Sequence, residues 1–137
     1  MELVKLADVR AAAKRLEGVI QATPLEYSRA LSSQCNGDVR MKCENLQRAG
    51  SFKVRGAYNR IAQLTQAEKD AGVVAASAGN HAQGVALGAR LQGVEATVFM
   101  PTSAPLPKVQ ATEAYGAKVI LEGESVYESL QVAAAYA

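Results

Sequence analysis

Val73-Val74-Ala75-Ala76-Ser77-Ala78-Gly79-Asn80-His81-Ala82-Gln83-Gly84 decides the fold class of this chain. Four apolar residues after Gly72 read as a short strand buried on both faces, as in a parallel sheet. A small polar turn follows, and Asn80 is suited to cap a helix that runs to about Leu91 and stops at Gly93. The same rhythm then repeats. Ala96-Thr97-Val98-Phe99-Met100 reads as a second strand, and Pro105 suits the first turn of a helix ending at Gly116. Lys118-Val119-Ile120-Leu121 is a third strand. Ser125-Val126-Tyr127-Glu128 is a capping box that opens a helix through Leu130 and Ala133. Three successive βα units predict an α/β protein with three αβα layers: an open parallel sheet, right-handed crossovers, and helices on both faces.

Upstream, Val54, Ala57, Ile61 and Leu64 fall on one helical face, with Ser51 as the cap. Thr65-Gln66-Ala67-Glu68 is a capping box for a short helix that Gly72 ends. Val39-Arg40-Met41-Lys42-Cys43 alternates and reads as a strand. A short helix over Arg29 to Ser33 is closed by the Asn36-Gly37 turn. Thr23-Pro24-Leu25 interrupts the chain, because a residue before proline avoids the α region. Asp8 is placed to cap a first helix that presents Val9, Ala12, Ala13, Leu16 and Ile20 and ends near Gly18. The last helix runs to Ala137 with no stop signal, and the strand expected after it is absent.

Composition narrows the function classes. The chain has 137 residues, 49% of them apolar and 20% charged, enough for one ordinary core and too apolar for disorder. With two Phe, five Tyr and no Trp, the core falls to Val, Leu, Ile and Ala. A net charge of +2 with scattered Lys and Arg argues against nucleic acid. No apolar run approaches the roughly 20 residues of a membrane span, and the charged N-terminus does not read as a signal peptide. Cys35 and Cys43 form no CxxC and read as reduced thiols of a cytoplasmic protein. His81 is the only histidine, so no multi-histidine metal site is expected.

Two stretches carry candidate chemistry. In Ser77 to Gly84, a helix start follows the carboxyl end of a strand, where open α/β sheets bind ligands and backbone N–H groups can hold an anion. A tight turn with a capping Asn is the plain alternative. Neither a P-loop, a nucleophile elbow nor GxGxxG is present, since Val85 and Ala75 stand where Lys and Gly would be needed. His81 by itself reads as a helix-start histidine. The second stretch is Glu44-Asn45-Leu46-Gln47-Arg48-Ala49-Gly50-Ser51-Phe52-Lys53-Val54-Arg55-Gly56-Ala57. Lys53 sits in a first helical turn, where the helix dipole disfavours a cation and so favours a nucleophilic amine. Taken singly, Lys53 reads as solvated and Phe52 as core.

Together, Ser51-Phe52-Lys53-Val54-Arg55-Gly56-Ala57 and Ser77-Ala78-Gly79-Asn80-His81-Ala82-Gln83-Gly84 closely resemble the threonine/serine dehydratases (threonine ammonia-lyases). These are pyridoxal-phosphate enzymes of fold type II, the tryptophan-synthase-β-like group. The resemblance runs from Thr23-Pro24-Leu25 to Tyr115-Gly116-Ala117-Lys118. It implies that Lys53 is the Schiff-base lysine, that Phe52 packs on the cofactor ring, and that Asn80 hydrogen-bonds the ring hydroxyl. It implies that Ser77, Ala78, Gly79, Asn80 and His81 form the loop for the substrate carboxylate. The reaction implied is dehydration and deamination of L-threonine, or second L-serine, to a 2-oxo acid and ammonia. A place in isoleucine biosynthesis and a homo-oligomer are implied with it. Serine racemases resemble this pattern but carry a serine as second base before the loop glycine; Ala78 stands there, which favours elimination.

The family also anchors the cofactor phosphate in a run of consecutive glycines, and this chain has 11 Gly but no Gly-Gly. The resemblance therefore implies a truncated unit. Residues 1–47 match the N-terminal part of the large domain, and 48–137 match most of the small α/β domain. Such a chain is expected to be inactive, or nearly so, by itself. Two other readings stay open: a non-catalytic or self-assembling α/β module, and a simple anion-binding module at Asn80.

Overall fold

The computed structural model describes residues 3–137. Its elements in chain order are α1 (Leu6–Leu16), β1 (Leu25–Tyr27), α2 (Arg29–Cys35), β2 (Arg40–Lys42), α3 (Lys53–Ile61), α4 (Gln66–Ala71), β3 (Val73–Ala76), α5 (Asn80–Gln92), β4 (Ala96–Met100), α6 (Leu106–Ala114), β5 (Lys118–Leu121) and α7 (Val126–Tyr136). Two 3-10 turns, Glu44–Leu46 and Arg48–Gly50, link β2 to α3. No helix among the described residues is long and apolar enough to cross a membrane.

β3, β4 and β5 form the expected parallel sheet, in the order β3-β4-β5. The register sets Val73 opposite Ala96 and Thr97 opposite Lys118. β4 lies at the centre, and side-chain alternation splits it between two helical layers. Val98 and Met100 pack into the core shared with Val85, Ala86 and Ala89 of α5 and Val109 of α6. Phe99 turns the other way and meets Tyr136 of α7 edge-on, with ring centroids 5.3 Å apart. The three αβα layers are thus present. β3, however, is half-buried along its whole length and does not match the fully buried strand its composition predicts. It is an edge strand here, with β4 on one side only.

Most helix boundaries follow their local chemistry. Thr65 and Glu68 form the reciprocal capping box of α4, and Gly72 ends it at φ +85°. Gly93 closes α5 in the left-handed region, as Asn36 closes α2. Five caps differ from expectation. Phe52, not Ser51, is the cap residue of α3. Asp8 is not the cap of α1; it sits in the first turn and accepts from the Lys5 N–H at 2.8 Å. Pro105 precedes α6 as its cap residue, and Pro107 occupies the first turn. Ser125 does cap α7, but the Glu128 carboxylate reaches back to the Glu124 N–H, one residue further than a capping box requires. Gly79, not Asn80, is the cap residue of α5.

The N-terminal third contains a strand that the sequence did not signal. β1 pairs antiparallel with β2, with Leu25 opposite Lys42. Its three residues are all exposed, so no apolar alternation marks it. Of the apolar face expected for α1, only Leu16 is buried, while Val9 is 55% exposed.

Candidate active site

The two motif stretches meet through glycine. A Cβ on Gly84 would lie 3.0 Å from the Lys53 carbonyl carbon, 3.1 Å from the Val54 nitrogen and 3.2 Å from the Lys53 Cβ. One turn on, a Cβ on Gly88 would lie 3.2 Å from the Tyr58 nitrogen. Residues four apart share a helical face, so α5 rests against the backbone of α3 along Gly84 and Gly88. Asn80 lies one turn before Gly84 on that same face. The lysine and the Ser77–His81 loop are separated by more than twenty residues in sequence and become neighbours here. Sequence reading gave Gly84 and Gly88 no role; the small-residue spacing of four was the signal available for it.

Lys53 begins α3, with Phe52 as the cap residue, and its N–H donates to Ser51 Oγ at 3.4 Å. Just before it, Ala49 and Gly50 both adopt left-handed conformations, at φ +60° and +64°. This double reversal turns the chain from β2 into the helix. The Lys53 ammonium lies 4.8 Å from the centre of the Phe52 ring. It has no acidic partner among the described residues. Phe52 is 56% exposed, so the core reading of that residue fails and an aromatic face stands open beside the amine.

Arg55, two residues on, is neutralised. Its Nε and a terminal nitrogen each donate to Glu44 at 2.8 Å. Glu44 also accepts from Thr23 Oγ1 at 2.6 Å. The Arg55 hydrogen bonds hold the Glu44 carboxyl well below its ordinary value, at about 2, against the opposing effect of burial. Gln47, buried beside this pair, accepts from the Gln21 N–H and donates to the Gln21 carbonyl, each at 2.9 Å. These contacts tie the root of α3 to the segment around Pro24. Glu44 and Arg55 both fall within the stretch singled out by sequence, but their pairing across 11 residues had no local signal.

The loop after β3 is ordered by its own first serine. Ser77 N–H continues the sheet by donating to the Phe99 carbonyl at 3.0 Å, and Ser77 Oγ accepts from the Gly79 N–H at 3.2 Å. The first helical bond of α5 runs from the Gln83 N–H to the Gly79 carbonyl. The N–H groups of Asn80, His81 and Ala82 therefore precede the helical ladder and point out of the helix end. Asn80 does not cap; its Oδ1 accepts from the Lys108 ammonium at 3.0 Å. His81 is exposed, and it lines a cleft of about 350 Å³ between β3 and α3 with Gly56, Ala57, Arg60 and Val74. With Glu44 matched to Arg55, the unpaired charges of Lys53 and Lys108 leave the site positive. An amine without an acid partner, an open aromatic face, and free N–H groups at a helix start suit an anionic aldehyde cofactor at its ring end.

The pyridoxal-phosphate dependent enzyme family model matches residues 16–137. An L-threonine ammonia-lyase from Thermotoga maritima is 50% identical over 131 residues, which is 96% of this chain and 33% of that protein. An L-threo-3-hydroxyaspartate ammonia-lyase from a Pseudomonas species is 53% identical over 120 residues, 88% of this chain and 38% of the relative. Among solved structures, maize serine racemase superposes with a TM-score of 0.90 at 34% identity, covering 98% of this chain and 41% of that one. The chain thus spans about a third of the length of the curated relatives it matches. A family match over nearly the whole chain, with the matching α/β fold, places this protein in the pyridoxal-phosphate dependent enzyme family.

Proposed function

We propose that this chain carries the lysine-bearing and carboxylate-binding parts of an ammonia-lyase that dehydrates and deaminates L-threonine, with L-serine as second substrate. Residues 1–47 would open its large domain and 48–137 make up most of its small one. The observation that carries this reading is the placing of Lys53: an amine with no acid partner, beside the open Phe52 ring, its backbone against Gly84, which lies one turn from Asn80 along α5. In this reading Lys53 would hold the cofactor and would also carry the substrate's α-proton. Phe52 packs on the cofactor ring. The N–H groups at the start of α5 take the substrate carboxylate, within the loop Ser77, Ala78, Gly79, Asn80 and His81. Bound pyridoxal phosphate supplies the electron sink that lets the β-hydroxyl leave. Its phosphate would be held by residues outside these 137.

The names of the relatives support a β-hydroxy amino acid as substrate, since threonine, 3-hydroxyaspartate and serine share that group. Racemisation is the second reading, favoured by the superposition on serine racemase. Against it, Ala78 puts a methyl group where a second proton carrier would stand. A cytoplasmic location, a homo-oligomer and a place in isoleucine biosynthesis belong to the same proposal.

A chimera tests it: residues 1–137 joined to the remaining two thirds of the Thermotoga relative. The expected result is 2-oxobutanoate and ammonia from L-threonine, lost in Lys53→Ala. Serine racemisation without elimination would shift the reading to the alternative. In the 137-residue chain, borohydride trapping of pyridoxal 5'-phosphate should label Lys53 above every other lysine. Labelling spread evenly over the lysines would overturn the role given to Lys53.

A further inference from the structure

We propose that Lys108 is a positioning residue that sets which way the Asn80 carboxamide faces; this rests on the reading of Lys53 and Asn80 as cofactor-binding residues. The two side chains come from the first turns of different helices, α6 and α5, 28 positions apart in sequence. Lys108 Nζ lies 3.0 Å from Asn80 Oδ1. An ammonium group can only donate, so it fixes the oxygen of the amide towards itself. Both N–H bonds of Asn80 Nδ2 are then turned away from Lys108 and remain free to donate.

Asn80 stands one turn before Gly84 on the face of α5 that touches the Lys53 backbone. An Asn held this way offers donors, and no acceptor, to a group seated on Lys53. That polarity suits an ionised ring oxygen, which accepts hydrogen bonds. Without Lys108 the amide can rotate by half a turn and present its carbonyl to the same oxygen, a repulsive arrangement.

The position of Lys108 is not explained by fold stability. A cation in the first turn of a helix opposes the helix dipole. Lys108 has no acidic partner among the described residues, and its side chain makes only the Asn80 bond. It is half-buried, not free in solvent. A lysine held at an unfavourable helix end by one amide at a candidate site fits orientation better than stability.

Two readouts on the 137-residue chain test this. The first is the NMR signal of the Asn80 side-chain amide without cofactor. The wild type and Lys108→Arg should show one narrow pair of resonances, because both cations fix the oxygen. Lys108→Met should broaden or split them. An unchanged Asn80 signal in Lys108→Met would overturn the proposal. The second readout is the yield of pyridoxal 5'-phosphate trapped on Lys53 relative to the other lysines. Lys108→Met should lower it about fivefold, the worth of one ordinary hydrogen bond, and Lys108→Arg should restore it. In an Asn80→Ala background, Lys108→Met should add nothing; an additive loss would mean that Lys108 acts by another route. If the wild type traps no cofactor on Lys53, the proposed function fails, and the amide signal still decides whether Lys108 orients Asn80.

Discussion

Gly84 shows how much one missing methyl group decides. An added Cβ would meet α3 backbone at 3.0 to 3.2 Å, and backbone cannot rotate out of the way as a side chain can. Gly84→Ala should therefore push α5 from Lys53, costing about 1–3 kcal/mol in chemical denaturation and lowering cofactor trapping on Lys53. Gly56 is the control. It lies within α3 with nothing inside 4 Å of the position a methyl group would take, so Gly56→Ala should stabilise by about 0.5–1 kcal/mol through helix propensity. Equal effects at the two glycines would contradict the close approach of the helices. Glu44 gives a pH-dependent counterpart. Its carboxyl falls from 4.5 to about 2 because Arg55 and Thr23 bond its ionised form. A depressed value means stability that is present above pH 4.5 and lost as pH falls towards 2. Its side chain is 17% exposed, so the gain is discounted to about 2 kcal/mol. Urea unfolding should find the wild type more stable than Glu44→Gln by that amount near neutral pH. The gap should close as pH falls towards 2, and a constant gap would rule out the ionised pair as its source.

Elements were legible where their signals are local. The Thr65–Glu68 box, the Gly72 and Gly93 stops, and the three apolar strands all depend on residues a few positions apart, and all stand where the pattern puts them. β1 was not legible because its residues are exposed and its reason for being extended is β2, which lies beyond α2 in the chain. Asn80 was misread for a related reason: a capping residue near a helix start is the common local use, but Lys108 claims the side chain from another helix. β3 exposes a third limit, since apolar composition cannot distinguish a central strand from an edge. The ladder makes that difference measurable. Val73 and Ser77 donate towards β4, so by alternation Ala75 does as well, while Val74 and Ala76 face the open edge. Amide exchange should be faster at Val74 and Ala76 than at Ala75, by at least about tenfold. Equal protection along the strand would show that something covers this edge in solution.

At the scale of the whole chain, the fold class and the two motif stretches were readable, and so was the family. What joins the stretches was not, because the Gly84 contact, the Glu44–Arg55 pair and the Lys108 bond all link distant segments. The same long-range view exposes a surface that does not balance. The structure exposes 8722 Å². A compact monomer of 14.4 kDa would expose roughly 6,800 Å², so the surplus is roughly 1,900 Å². That is more than twice the roughly 800 Å² that each partner buries in a standard protein–protein interface. The surplus carries large apolar side chains: Leu3, Val4 and Leu6 around α1, Leu25 and Tyr27 on β1, and Tyr127 and Leu130 on α7 are each more than half exposed. Exposed apolar surface on this scale, together with an open strand edge, favours association. The 137-residue chain should therefore self-associate as its concentration rises, with a sedimentation coefficient that climbs across the micromolar range. Its unfolding should be weak and concentration-dependent, because stability drawn from an interface follows mass action. A monomer that stays monomeric at high concentration and unfolds cooperatively at a concentration-independent midpoint would show that this surface needs no partner.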